Sequence, residues 1–200
     1  MKKLLLHTCC APCLTAVEER LRNVYNISTF WFNPNIEPEK EHDLRLQTYK
    51  LFCDRQNIQI LFENNYRSDN NLWSKCLRAS LPNALSSCRE GRERCEQCIL
   101  FRLEETAKTA KRDNFDIFST TLSISPYKSY RLISTIGKKL SKKYNISFLD
   151  VDFKKQNGYI RSIELSKEFN LYRQKYCGCS YSNRTCSPPR LSLSSSDRQR

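Results

Sequence analysis

Short β-rich runs alternate with segments of helical periodicity along the chain, and this alternation leaves few folds open. The runs cover residues 3–7, 27–32, 58–63, 116–120 and 146–151. Between them, 12–23, 38–55, 95–111 and 127–143 carry apolar residues near three-to-four spacing. Strands joined by helical crossovers pair in parallel, so the pattern predicts an α/β parallel sheet with flanking helices. Pro12 and Pro38 stand where a first helical turn tolerates proline. A hydrophobic fraction of 39%, with 10 Phe, 10 Tyr and 2 Trp, supplies a core and excludes global disorder despite a mean hydropathy of −0.65. The four glycines form neither G-x-G-x-x-G nor G-x-x-x-x-G-K-[ST], which excludes a glycine-built nucleotide loop.

The apolar start, Leu4-Leu5-Leu6, stops at His7, shorter than the ~7–15 residues of an export signal. No apolar run approaches the roughly 20 residues of a membrane span. The expectation is a cytoplasmic protein with no membrane partner. Its 34 Lys+Arg against 21 Asp+Glu give a net charge of +13, which favours a polyanion; charge alone does not separate RNA, DNA and a membrane surface. From Ser182 onward Ser, Pro and Arg dominate without hydrophobic period, so residues 1–181 are expected to form one α/β domain and 182–200 a flexible basic tail.

Eleven cysteines cannot all pair as disulfides, and in a reducing compartment clustered thiols hold metal or do redox chemistry. Cys9-Cys10-Ala11-Pro12-Cys13 follows the first strand and enters the first helix, the junction where open α/β sheets bind ligands. A helix N-terminus there is expected to bias these sulfurs toward thiolate. Cys95-Glu96-Gln97-Cys98 is a C-x-x-C opening a helix, readable alone as half a zinc site, a redox disulfide or a cluster edge. Cys177-Gly178-Cys179 adds two thiols on a turn. These seven exceed the four ligands of one zinc or one cluster; a four-ligand cluster plus a three-thiolate metal with an open position uses all of them. Cys53 lies in an apolar helical stretch and reads as core, Cys76 and Cys88 have no partner spacing, and Cys186 falls in the tail.

The chain resembles the cobalamin-independent epoxyqueuosine reductases, the QueH family, through ordered blocks that reach nearly to Ser182. They are Leu6-His7-Thr8-Cys9-Cys10-Ala11-Pro12-Cys13, Asn33-Pro34-Asn35-Ile36, Arg94-Cys95 with Cys98 and Arg102-Leu103, Thr120-Thr121-Leu122 with Ser125-Pro126-Tyr127, and Tyr172-Arg173-Gln174 with Tyr176-Cys177-Gly178-Cys179. The resemblance implies reduction of the epoxide of epoxyqueuosine in transfer RNA to the queuosine alkene, with a [4Fe-4S] cluster beside a second, mononuclear iron and an electron donor yet to be identified. It also implies a Rossmann-like (HUP-like) sheet with the cysteine-rich metal site at the C-terminal ends of the strands. On that reading Cys10, Cys95, Cys98 and Cys177 hold the cluster and Cys9, Cys13 and Cys179 the iron; some family members carry Asp at the position of Cys13. Three positions depart from the family pattern: Glu37 where His is frequent, His42 where Tyr is usual, and Lys154 where Arg is common, the last keeping charge while losing a bidentate fork.

Several residues carry two readings. Asn33 and Asn35 either present amides to the substrate or close an Asx turn, and Thr121 and Ser125 either line the crevice or cap local structure. Arg173 either binds an anion or makes a salt bridge; His7 either shapes the site or is a satisfied core histidine. A base leaving the anticodon stack needs an aromatic partner, for which Trp31, Tyr127 and Tyr172 are candidates. Cys13, Tyr127 and Arg173 are the residues expected closest to the reaction. Lys138, Lys139, Lys142 and Lys143 form a solvated face or an RNA contact. Two other functions fit a cysteine-rich basic α/β chain: an iron–sulfur transfer RNA thiolase, which would consume ATP, and a colourless zinc-stabilised RNA-binding module.

Overall fold

Five parallel strands in the order β3-β2-β1-β4-β5 form the sheet in a computed structural model that describes residues 1–62, 93–179 and 182. Cys76, Cys88, Cys186 and, apart from Ser182, the expected basic tail lie outside the described residues. The elements are β1 (Lys2–His7), α1 (Ala11–Leu21), β2 (Tyr25–Trp31), α2 (Glu39–Arg55), β3 (Gln59–Phe62), α3 (Glu93–Arg112), β4 (Ile117–Thr120), a 3₁₀ turn (Thr121–Ile124), α4 (Tyr130–Tyr144), β5 (Ser147–Phe148) and α5 (Gly158–Glu168).

The chain adds strands outward from β1 in one direction and then restarts on its other side with β4. Right-handed crossovers put helices on opposite faces when that direction reverses. Accordingly, Leu4, Leu6 and Trp31 pack beneath α1, α2 and α5, with Leu14, Val17, Phe52 and Leu165. Leu5, Phe30 and Phe118 face α3 and α4, with Ile99, Leu103, Ile136 and Leu140. Strand side chains alternate between faces, so β1 is apolar at consecutive positions because helices cover both.

The pairing Leu6↔Thr29, His7↔Phe30 and His7↔Thr120 ends β1 and β4 at one level. The crevice beyond that level, where the strand order reverses, is where this architecture binds ligands.

The last strand is shorter than the 146–151 expected. Beyond Phe148 the Leu149 amide still donates to the Phe118 carbonyl at 2.9 Å, but the carbonyls of Leu149 and Val151 accept from the hydroxyls of Ser119 (2.9 Å) and Ser123 (2.8 Å), side chains taking the place of ladder amides. The fourth expected helix starts at Tyr130, not 127: Ser129 Oγ accepts from the Leu132 amide at 3.2 Å and caps it there. Helix α5 had no counterpart in the expected elements. Its buried stripe is Gly158, Ser162, Leu165 and Ser166, which has helical spacing but little hydrophobicity.

Candidate metal and substrate site

The floor of the crevice is the end of β1. His7 is fully buried; burial, reinforced by the nearby Arg102 charge, lowers its pKa to about 3. The ring is therefore neutral. Its Nε2 lies 3.3 Å from the Phe32 carbonyl, which can only accept, so Nε2 carries the proton and Nδ1 accepts from Thr120 Oγ1 at 2.9 Å. His7 is a satisfied core histidine that ties β1 to β2 and β4.

Immediately beyond, the Sγ atoms of Cys9, Cys10 and Cys13 all lie within 4.8 Å of one another. Cys10 is the N-cap of α1, with Pro12 in the first turn, so the helix start aims this group outward from the sheet. Hydrogen bonds from Cys10 and Cys13 hold the Cys9 thiol well below its ordinary value. Burial pushes Cys10 up to about 12, and Cys13, which donates to Cys10 and Cys9, is also raised. The expectation that the helix start favours thiolate at all three is thus corrected to one, Cys9, since burial and an existing negative charge oppose another. A bound cation reverses that opposition, which makes the trio a fit for a thiophilic metal. Thr121 Oγ1 sits 3.4 Å from the Cys9 amide and 3.6 Å from its sulfur.

The other cysteines expected at the site come from two other segments, and of them Cys177 lines the cavity described below while Cys95, Cys98 and Cys179 do not. In the first turns of α3, Cys98 is buried; burial raises its thiol pKa against the charges of Arg102 and Lys128, with Cys177 and Cys95 adding to the rise. Arg102 Nε donates to the Cys98 carbonyl at 3.2 Å. Cys177 and Cys179 lie on the segment after α5, where Cys177 Sγ is 2.9 Å from Ser182 Oγ. Gln174 of the same segment donates from Nε2 to Cys10 Sγ at 2.8 Å. At Gly178 φ is +104°, and a Cβ would meet Ile36 Cγ1 at 2.9 Å, so only glycine suits this turn between two thiols.

A cavity of about 280 Å³ opens between these segments, with Cys9, Cys13 and Cys177 on its wall. Arg45, Arg102, Lys128, Arg173 and Lys175 also line it, and no carboxylate or imidazole does among the described residues.

Of the other residues selected from sequence, Ser125, Tyr127 and Arg173 reach this cavity. Ser125 Oγ also accepts from the Tyr127 amide at 3.3 Å, and Tyr127 is 76% exposed at the rim. Among the described residues Arg173 makes no salt bridge. Its Nη1 donates to the Ser162 carbonyl (3.2 Å) and Ser166 Oγ (3.0 Å), fixing the segment to α5. Asn33 spends its amide on the Thr8 carbonyl at 2.8 Å, and neither Asn33 nor Asn35 lines the cavity; Thr121 lies beneath Cys9. Trp31 is completely buried, stacked on Tyr49 and donating to His42 Nε2 at 3.2 Å, so it is not available to stack on a base. Tyr172 donates to Glu41 Oε2 at 2.8 Å and is not on the cavity wall. Cys53 is core, as its apolar neighbours suggested. The Lys154 ammonium reaches Asp152 (3.1 Å) and the Ser123 carbonyl (3.0 Å) without needing a fork. Arg45, Lys128 and Lys175 belong to no motif in the sequence; the i, i+4 partner of Arg45 in Glu41 is a local signal for that residue alone, and such pairs are common on surfaces.

The family model described as epoxyqueuosine reductase QueH matches residues 4–185. Among curated proteins, epoxyqueuosine reductase QueH of Staphylococcus epidermidis is 36% identical over 177 residues, 88% of this chain and 74% of that protein. The Thermotoga maritima protein of the same name is 34% identical over 182 residues, 91% of each chain. That of Acinetobacter baylyi is 35% identical over 192 residues, 95% of this chain and 84% of the relative.

Proposed function

This chain belongs to the epoxyqueuosine reductase QueH family, and from that premise we propose that it removes the epoxide oxygen of epoxyqueuosine in transfer RNA to leave queuosine. The reaction takes two electrons and two protons and releases the oxygen as water. The observation that carries the reading is the meeting of thiols from separate segments, Cys9 and Cys13 with Cys177, on the wall of one basic cavity.

The donor set fits iron, because clustered cysteine sulfur is the ligand that iron–sulfur centres use. In this proposal Cys10, Cys95, Cys98 and Cys177 hold a [4Fe-4S] cluster, and Cys9, Cys13 and Cys179 hold a second iron. When bound, the cluster would supply electrons singly and the iron Lewis acidity toward the epoxide oxygen.

The protein's own groups do the rest. Lys128, Arg173 and Lys175 offer positive charge to the phosphates flanking the modified base. Tyr127, exposed at the rim, is placed to stack on an unstacked base. Buried Arg102 is a fixed cation beside Cys98 that offsets the negative charge of thiolates. The cavity wall offers ammonium groups (Lys128, Lys175) and phenols (Tyr127, Tyr159) as candidate donors of the proton for the departing oxygen. Thr121 and Ser125 act on this reading by holding Cys9 and the rim turn, and Asn33 by tying the segment after β2 to the Thr8 carbonyl beside the cysteines. Residues 1–181 would be the catalytic unit, working in the cytoplasm with a separate electron donor, and 182–200 a basic extension.

The test is anaerobic reconstitution with iron and sulfide, then reductant and epoxyqueuosine-containing transfer RNA, with digestion and mass spectrometry of the nucleosides. Conversion to queuosine, with more than four iron atoms per chain, is expected. Iron-loaded protein that converts nothing overturns the reading. ATP consumption with sulfur transfer would indicate a thiolase instead, and a colourless zinc protein without labile sulfide an RNA-binding module.

A further inference from the structure

The C-terminal pair of cysteines hangs from one buried arginine on a distant helix. Arg45 of α2 is 2% exposed. Its Nη1 donates to the Cys177 carbonyl at 3.2 Å and Nη2 to the Tyr176 carbonyl at 3.1 Å, while Nε donates to Glu41 Oε1 at 2.7 Å. The guanidinium also lies over the Tyr176 ring, 5.2 Å from its centroid. Glu41 uses its second oxygen to accept from the Tyr172 hydroxyl at 2.8 Å, so the carboxylate is anchored to the same segment. On the other side, the Glu37 amide donates to the Gly178 carbonyl at 2.7 Å, and a Cβ at Gly178 would stand 3.0 Å from Arg45 Nη1.

These contacts converge on the turn that carries two thiols. A buried arginine must recover its lost hydration through satisfied donors, and this one directs two of them to main-chain carbonyls of a segment with no secondary structure. Helix α2 is itself held by Tyr49 and Phe52 in the core, so Arg45 transmits the rigidity of the core to the turn bearing two thiols. A planar fork serves two carbonyls and a carboxylate together; an ammonium does not.

We infer that Arg45 is a positioning residue that sets Cys177 and Cys179 against the Cys9–Cys13 group, with Glu41 and Tyr172 fixing the orientation of its fork. The inference rests on the reading above that these are metal-facing thiols, but its test involves neither the epoxide nor RNA. The full chain, purified anaerobically and stripped of iron, is pulse-alkylated with iodoacetamide, and each cysteine is followed by peptide mass spectrometry. In Arg45→Met, Cys177 and Cys179 are expected to react about tenfold faster, the factor given by about 1.4 kcal/mol lost from local opening. Cys53 stays at the wild-type rate and the far-UV circular dichroism is unchanged. Arg45→Lys behaves like Arg45→Met, and Tyr172→Phe shows a smaller increase at the same two positions. After reconstitution, each variant surrenders iron to a chelator faster than wild type. Unchanged rates at Cys177 and Cys179, equal acceleration at Cys53, or full rescue by Arg45→Lys would each overturn the inference. Should Arg45→Met not fold, the Tyr172→Phe pattern decides it. A protein that labels as expected yet reduces no epoxide would sink the functional reading and leave Arg45's role standing.

Discussion

At the scale of single residues, the site separates thiols by their surroundings. Cys98 is buried on a helix beside the Arg102 cation, whereas Cys13 stands half-buried on the cavity wall. If Cys98 serves an electron store and Cys13 the oxygen-binding metal, their substitutions should part company. Cys98→Ala is expected to abolish the brown iron–sulfur absorption and activity together. Cys13→Asp should keep the absorption and part of the activity, since a carboxylate also ligates iron, and Cys13→Ala should keep the colour while losing most epoxide reduction. Absorption spectra of the anaerobically reconstituted variants beside single-turnover assays check this, and loss of the cluster spectrum in Cys13→Asp would refute the division of ligands. Tyr127 offers a second contrast. Phe in its place should retain transfer RNA affinity if stacking is its role, and Ala should lose about 1–3 kcal/mol of binding, measured by filter retention.

At the scale of elements, Asp150 locks α4 to the end of the sheet. Three successive turns of that helix reach it: Tyr130 (3.0 Å), Ser134 (2.8 Å) and Lys138 (2.8 Å). Burial would raise the Asp150 pKa, but bonds from Lys138, Ser134 and Tyr130 outweigh it and hold the carboxyl below its ordinary value of 3.8. A carboxyl with a depressed folded-state pKa contributes stability that is complete above 3.8 and disappears as pH falls through the lower folded value. Asp150→Ala should therefore destabilise by about 1–3 kcal/mol at neutral pH and by progressively less below pH ~4, as urea titrations across pH would show. Equal destabilisation at pH 7 and pH 3 would show that the carboxylate charge is not what locks the helix. Helix α5 is fastened to α1 comparably, by the two-pronged pair of Arg161 with Glu19 at 3.0 and 2.8 Å.

For the whole molecule, topology decides where RNA meets the charge of +13. Helix α4 starts beside the cavity at Ser129 and runs away from it, so Lys139 and Lys142 stand roughly 15–20 Å along the axis at ~1.5 Å per residue. Lys138 and Lys143 on the same helix are paired with Asp150 (2.8 Å) and Glu104 (2.6 Å). Cavity residues Lys128 and Lys175 are closer to any phosphate flanking the reacting base. Neutralising those two should lower the slope of log affinity against log salt by about one per lysine, and neutralising Lys139 and Lys142 by less. Titrations of transfer RNA at several salt concentrations give both slopes. The reverse ranking would place the contact along α4.

The sequence by itself determined what short-range pattern encodes. Strand and helix periods, the proline-marked helix starts and the grouping of cysteines are local properties, so the parallel α/β class and the Cys9–Cys13 trio could be read directly. Tertiary structure decided what depends on residues distant in the chain. Only the docking of the segment after α5 brings Cys177 to the cavity of Cys9 and Cys13, and only that docking makes Arg45 a buried clamp rather than a surface i, i+4 pair. Trp31, a plausible stacking residue by type, is removed from the surface because its side of β2 faces α2. Helix α5 is illegible in hydropathy because its buried stripe sets a single leucine among a glycine and two serines, whose spacing is helical but whose burial follows from packing against α1 and not from hydrophobicity. Hydropathy registers which residues avoid water; it does not register which small or charged ones are enclosed because two distant elements meet over them.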